Sequence, residues 1–280
     1  MANHRIYQYT SLGRPLKPAV APGKAVLYLL PVAALLGLVM GWVRFDSITG
    51  ALQQAILYVL VMYGSWALAR ELDPDDSPAA FISMAAAMLA VVLVDVPGIL
   101  IVYLAITLVR MVNRRSGLPA KQSDSIILMA LSIWLIYAAE MPLFGAVAAL
   151  AFFLDGSLKD PKRSQWIYGL VCFGGMIVYM VDHDAGLQLV NWPQTLFEWI
   201  SLLFILIFAL DTFLLKRVRT RGDVNGLKLD VTRVRGGMTV GFLAALQGIN
   251  QPDQVVIIVA TIAGLCIGMA FRKSFTAPVA

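Results

Sequence analysis

From Ala25 to Val43 the chain carries no charged side chain, and the same is true from Gln254 to Ala270. Uninterrupted apolar runs of this length decide what the chain can fold into. In lipid every backbone polar group must find its partner within the protein, which leaves helices and closed barrels as spanning structures. Barrel strands alternate apolar and polar residues in segments of about ten. These runs do not alternate, so they read as helices. The composition agrees, with 59% hydrophobic and 14% charged residues, against about 25% charged in a soluble globular chain. The expected fold class is all-α, a polytopic transmembrane helical bundle of about ten spans.

The candidate spans are 25–43, 50–69, 79–95, 97–112, 124–139, 141–155, 165–181, 195–215, 236–249 and 254–272. A full crossing takes about 20 residues. Several segments fall at or below that length, most clearly 141–155, so a re-entrant segment there and an eight-span chain stand as the alternative. Local chemistry marks several boundaries. Pro78, Pro97, Pro142 and Pro193 fall at or near the starts of apolar runs, where a missing N–H costs nothing. Ser77-Pro78 reads as an N-cap followed by the first helical residue. Asp95-Val96-Pro97 and Glu140-Met141-Pro142 read as tips of helical hairpins.

Of the 22 basic residues, only Arg44 falls on one side when the connections are assigned alternately to the two faces. All the others fall on the opposite face, which the positive-inside rule makes cytoplasmic. Residues 1–24 and 273–280 then form cytoplasmic tails around a transmembrane domain at 25–272. The segment 25–43 comes after a long polar lead and reads as a retained first span rather than a cleaved signal. The expected location is the inner, cytoplasmic membrane. Trp42, Trp192 and Trp199 near the outer ends and Trp66 and Trp166 near the inner ends match interfacial aromatic belts.

Two stretches echo each other. Asp73-Pro74 and Asp160-Pro161 are each followed by serine at one offset, Ser77 and Ser164, and by a span ending in aspartate at one distance, Asp95 and Asp182. Gly13-Arg14-Pro15 and Gly117-Leu118-Pro119 form a second echo, with Gly226-Leu227 as a third that lacks the proline. These echoes divide the chain into two four-helix units, 13–116 and 117–225, and a partial unit at 226–272. Such a repeat would be parallel.

Three constellations are candidates for chemistry. On the outer face, Asp95, Glu140 and Asp182, with His183 beside them and Asp46, Asp184 and Asp253 nearby, could form a mouth for a cation or solute if the hairpin tips converge. Ordinary solvated carboxylates are the plainer reading. On the inner face, Glu71, Asp73 and Asp75, with Arg114 and Arg115, could hold a phosphate or lipid headgroup, although carboxylates before a helix also serve as caps. Within the spans, Arg110, Glu198 and Asp211 are the ionisable groups, all near an interface, and Asp211 is the preferred intramembrane residue.

Gly37/Gly41, Gly237/Gly241 and Gly264/Gly268 have the spacing that lets helix backbones approach closely. They serve internal packing first, with a homo-oligomer or a membrane-protein partner as the alternative. Cys172 and Cys266 lie inside apolar runs and read as buried thiols. His4 and His183 lie outside the spans, so neither haem nor any other cofactor is called for. The net charge of +5 reads as orientation and attraction to anionic lipid headgroups, with no nucleic-acid partner. No nucleotide-binding loop, metalloprotease helix or serine-nucleophile elbow is present. A small-solute or cation permease or channel-like protein is therefore the first expectation. A non-catalytic subunit of a membrane complex comes second, and an enzyme of lipid-linked phosphates third.

Overall fold

The computed structural model describes residues 6–16, 18–93, 98–183 and 192–275. Among them the chain is helical, with a single isolated bridge between Arg221 and Lys228. A short turn, α1 (Ile6–Tyr9), precedes ten long helices: α2 (Ala21–Phe45), α3 (Ile48–Leu72), α4 (Ser77–Leu93), α5 (Ile99–Asn113), α6 (Gln122–Ala138), α7 (Leu143–Ser157), α8 (Gln165–Asp182), α9 (Leu196–Leu214), α10 (Val231–Leu246) and α11 (Pro252–Phe275). Five of these, α2, α3, α8, α9 and α11, are long and apolar enough to cross a membrane, which agrees with a membrane protein.

Polar side chains set the ends. Ser47 Oγ accepts from Gly50 N at 3.1 Å and starts α3. Asp230 Oδ1 accepts from Arg233 N at 3.0 Å and starts α10, five residues ahead of the sequence expectation because Arg233 and Arg235 lie inside the helix. At α4 the cap is Asp76, whose carboxylate accepts from Ala79 N at 3.2 Å. Ser77, expected to cap, is instead helical and takes a hydrogen bond from Arg70. Glu198 belongs to a capping box with Thr195 at the start of α9. That local pairing accounts for a carboxylate at the edge of an apolar run.

The helices run up and down, and their alternate ends meet at one face. The N-terminus of α6, the C-terminus of α7 and the N-terminus of α8 meet there, because Gln165 Nε2 donates to Ser125 Oγ at 3.0 Å and to Asp155 Oδ2 at 3.2 Å. Thus α7 ends at the face where α6 and α8 begin. At the opposite face Gln251 Nε2 donates to the Glu140 carbonyl at 3.0 Å, which ties the α6–α7 tip to the connection between α10 and α11. Glu140 itself takes a left-handed conformation, φ 53°, as the tight hairpin demands.

The two shortest of the ten helices lie deep in the bundle. Helices α5 and α7 have 15 residues each, a rise of about 22 Å against a hydrocarbon layer of about 30 Å. Both are central. Leu104, Leu108, Phe144 and Phe152 are fully buried, and α5 packs on α3, α7 and α10. The peripheral helices α2 and α9 expose Leu35, Val39, Leu203 and Leu210.

The glycine pairs are used inside the chain. A Cβ on Gly37 would lie 2.5 Å from the Gln54 carbonyl oxygen, and one on Gly264 or Gly268 would lie 2.5 Å from the Cα of Ser83 or Ala79. Gly241 meets Leu72 and Gly237 meets Asn113. The faces considered for a partner or a homo-oligomer are therefore covered by the chain's own helices.

Candidate functional site

The last turn of α5 organises the basic face. Its sequence, Arg110 to Arg115, places charge where the apolar core ends. Arg114 adopts φ 47° as the C-cap of α5, so the chain reverses there and consecutive arginines diverge. Arg114 Nε donates to Asp155 Oδ1 at 2.8 Å, and the same oxygen receives Arg233 Nη1 at 2.9 Å. Arg115 turns to the carbonyls of Arg70 and Pro74, and burial pushes its guanidinium down to about 9.

A second carboxylate mirrors the first. Glu71, at the end of α3, is fully buried; its Oε1 receives Arg110 Nε at 3.0 Å and Arg14 Nη1 at 3.4 Å. Asn113 Nδ2 donates to the Glu71 carbonyl at 2.8 Å. Arg14 comes from the N-terminal tail and also donates to Asp223 Oδ2 at 2.8 Å, joining the tail to the loop before α10. Burial acts to lower the Arg14 pKa, but Glu71 and Asp223 outweigh it and hold the guanidinium above its usual value. The tail is fixed again by Ser11, whose N–H and hydroxyl donate to Asp124 at 2.8 and 2.7 Å.

Between the tail, the start of α2 and the ends of α3 and α5 lies a cavity of about 190 Å³, lined by Arg14, Trp66, Arg70, Glu71, Arg110 and Asp223 among others. Two of the residues that line it carry a polar atom buried without a hydrogen-bond partner, Glu71 Oε2 and Trp66 Nε1. The first turn of α2 reaches the same cavity through Val20, Pro22 and Gly23, and its N-cap, Val20, has no capping side chain.

The acidic run read as one phosphate site disperses. Glu71 faces arginines in the cavity. Asp73 and Asp76 pair with Arg272 at 3.1 and 3.3 Å. Asp75 accepts from the N–H groups of Arg219 and Thr220 and from the Thr220 hydroxyl at 2.7 Å. Burial pushes the Asp73 carboxyl up, with Arg272 opposing. At Asp75 burial also acts upward, but the hydrogen bonds from Thr220 and Arg219 hold the carboxyl below its usual value. These carboxylates turn to three different partners, and Arg114 sits with Asp155 instead, so a single metal-diphosphate centre does not form.

The outer set is only partly described. Asp95 and Asp184 lie outside the described residues. Glu140, Asp182 and His183 are exposed, and His183 stacks on Tyr179 with 4.1 Å between centroids while its Nδ1 meets the Tyr179 carbonyl at 3.0 Å. Among the described residues no three His, Cys, Asp or Glu side chains are grouped as a metal ion requires. Asp211 belongs to the other end of the bundle, in a cleft of about 440 Å³ with Asp73, Lys216 and Arg272.

Sequence reasoning named Glu71 and Arg110 but not their pairing, and passed over Asp155, Arg233, Arg14 and Asp223. A carboxylate closing an apolar run on the basic face, as in Leu154-Asp155, was the available signal. Compared with known proteins, the chain matches no family model, no curated protein and no solved structure.

Proposed function

We propose that this chain is a multi-pass membrane protein of the permease type that takes up a small solute at its basic face. In this reading all ten long helices cross the bilayer. The face carrying the arginine clusters is cytoplasmic, as the positive-inside rule favours, and exposed Arg163, Arg217 and Arg219 lie among anionic headgroups. The observation that carries the reading is the cavity under Arg14. It is bounded on one side by the tail, is lined by Arg14, Arg70, Glu71, Arg110 and Asp223, and two of its lining residues carry buried polar atoms without partners. Such atoms cost about 1–3 kcal/mol each when nothing answers them, so a cavity that retains them is suited to a polar occupant.

The test is uptake into proteoliposomes of purified protein, with radiolabelled inorganic phosphate, glutamate, choline and rubidium offered in turn. One of these should enter faster than into protein-free vesicles, and Ala67→Trp, which fills the cavity from a residue that lines it, should abolish the difference. Absence of flux for all four probes in folded protein would overturn the reading.

A further inference from the structure

Resting on that reading of the cavity, we propose that its occupant is a phosphate group that keeps a P–OH proton, held by the arginines and donating to Glu71. Both halves of the recognition are in place. For the anion's oxygens, Arg14, Arg70 and Arg110 line the cavity against Glu71 and Asp223, leaving an excess of positive charge. Trp66 Nε1 adds a buried donor without a partner. The uncapped start of α2 lines the cavity with Val20 and Gly23, whose backbones carry N–H groups where Pro22 has none, and brings the positive end of a 25-residue helix dipole.

The acceptor half makes the site selective. Glu71 is fully buried, and its Oε1 is occupied by Arg110 and Arg14 while Oε2 has no partner. A carboxylate oxygen can only accept. An oxyanion without a proton therefore meets it with repulsion, whereas one with a hydroxyl completes its hydrogen bonding. Inorganic phosphate carries such a hydroxyl at neutral pH and sulfate does not. A site built to pair a hydroxyl strongly rejects an analogue lacking it, because the buried group is left unpaired.

The same phosphate chemistry can come as the free ion or as the monoester headgroup of a lipid. Equilibrium dialysis of the detergent-solubilised full chain against radiolabelled phosphate, with sulfate as competitor, tests the first source. Nanodiscs of phosphatidylcholine with and without phosphatidic acid test the second, through displacement of bound phosphate. Phosphate is expected to bind more tightly than sulfate by about tenfold or more. Trp66→Phe should weaken phosphate by about tenfold, the loss of one buried donor. Glu71→Gln, whose amide can donate, should bring the two anions close to parity. Competition by phosphatidic acid assigns the site to a headgroup, and its absence assigns it to the free ion.

Equal binding of sulfate and phosphate, no binding of either, or phosphate binding unchanged in Trp66→Phe would each overturn the proposal. Trp66→Phe keeps the ring and removes only the N–H, so the result stands even if Glu71→Gln fails to fold. Phosphate binding without uptake would refute the permease reading alone, and uptake of another solute without phosphate binding would refute this inference alone.

Discussion

Arg114 and Arg233 approach the same buried oxygen of Asp155, at 2.8 and 2.9 Å, from the end of α5 and the start of α10. One carboxylate thus fastens two helices far apart in sequence to the end of α7. A buried ion pair of this kind owes little to Coulomb energy alone, because desolvation of the charges opposes it. Removing one member is the costly event, because the charge left behind stays buried without its counterion.

Asp155→Ala should destabilise the protein by about 3–5 kcal/mol, since it leaves two guanidinium groups buried and unpaired. Asp75→Ala, at an exposed carboxylate held by hydrogen bonds from Arg219 and Thr220, should cost less, about 1–2 kcal/mol. Chemical denaturation in detergent, followed by far-ultraviolet circular dichroism, compares the two. Equal losses would show that the buried cluster is not the fastening point.

Acid should act on Asp75 and Asp73 in opposite senses. The Asp75 carboxyl is held below its usual value, so its contribution is complete above about pH 4, the unfolded value, and is lost as pH falls through the folded pKa. The Asp73 carboxyl is raised, so the folded state binds its proton more readily, and stability from this residue grows as pH falls and is lost as pH rises through the folded pKa. Melting temperatures between pH 3 and pH 7 should therefore decline less steeply in Asp75→Asn than in the wild type, and more steeply in Asp73→Asn. Parallel profiles would contradict the hydrogen bonding described for Asp75.

Packing between α2 and α3 is the tightest test of the glycines. Gly37→Leu places side-chain atoms where the Gln54 and Ala55 backbone already lies, and overpacking of this kind costs about 1–3 kcal/mol or more. Gly174→Leu, on α8, meets nothing within 4 Å and should be tolerated. Yield of folded protein on gel filtration separates them. Tolerance of Gly37→Leu would mean that the two helices can part, and with them the wall of the cavity.

Fold and site were legible to different degrees for physical reasons. Helix number and order come from apolar runs and from the residues that end them, both local properties. The Glu140 tip and the Gly37/Gly41 seam could be read this way. Starts of helices were less visible where charge lies inside, as at Arg233 and Arg235 in α10. The arginine–carboxylate pairs were not legible, because they join residues such as Arg14 and Glu71, or Asp155 and Arg233, that no local pattern relates. Glu71 and Asp73 are almost adjacent in sequence, yet one faces a cavity and the other faces Arg272. The left-handed turn at Arg114, which separates two consecutive arginines, has no glycine to announce it.

On the proposed topology α7 crosses the bilayer, and the orientation of every later helix depends on that crossing. In the bundle its two ends are far apart: Glu140 precedes it at the face of Gln251, and Ser157 closes it beside the Asp155 cluster. Both residues are exposed, and the native Cys172 and Cys266 are buried, so single reporters at these sites can be read against a quiet background. With a membrane-impermeant maleimide, Glu140→Cys should label in intact cells and Ser157→Cys only after permeabilisation. Labelling of both from one side would make α7 re-entrant. It would then reverse α8 to α11 and carry Arg233 and Arg272 to the face opposite Arg110, against their pairing with Asp155 and Asp73 at the end of the bundle where Arg114 and Glu71 also lie.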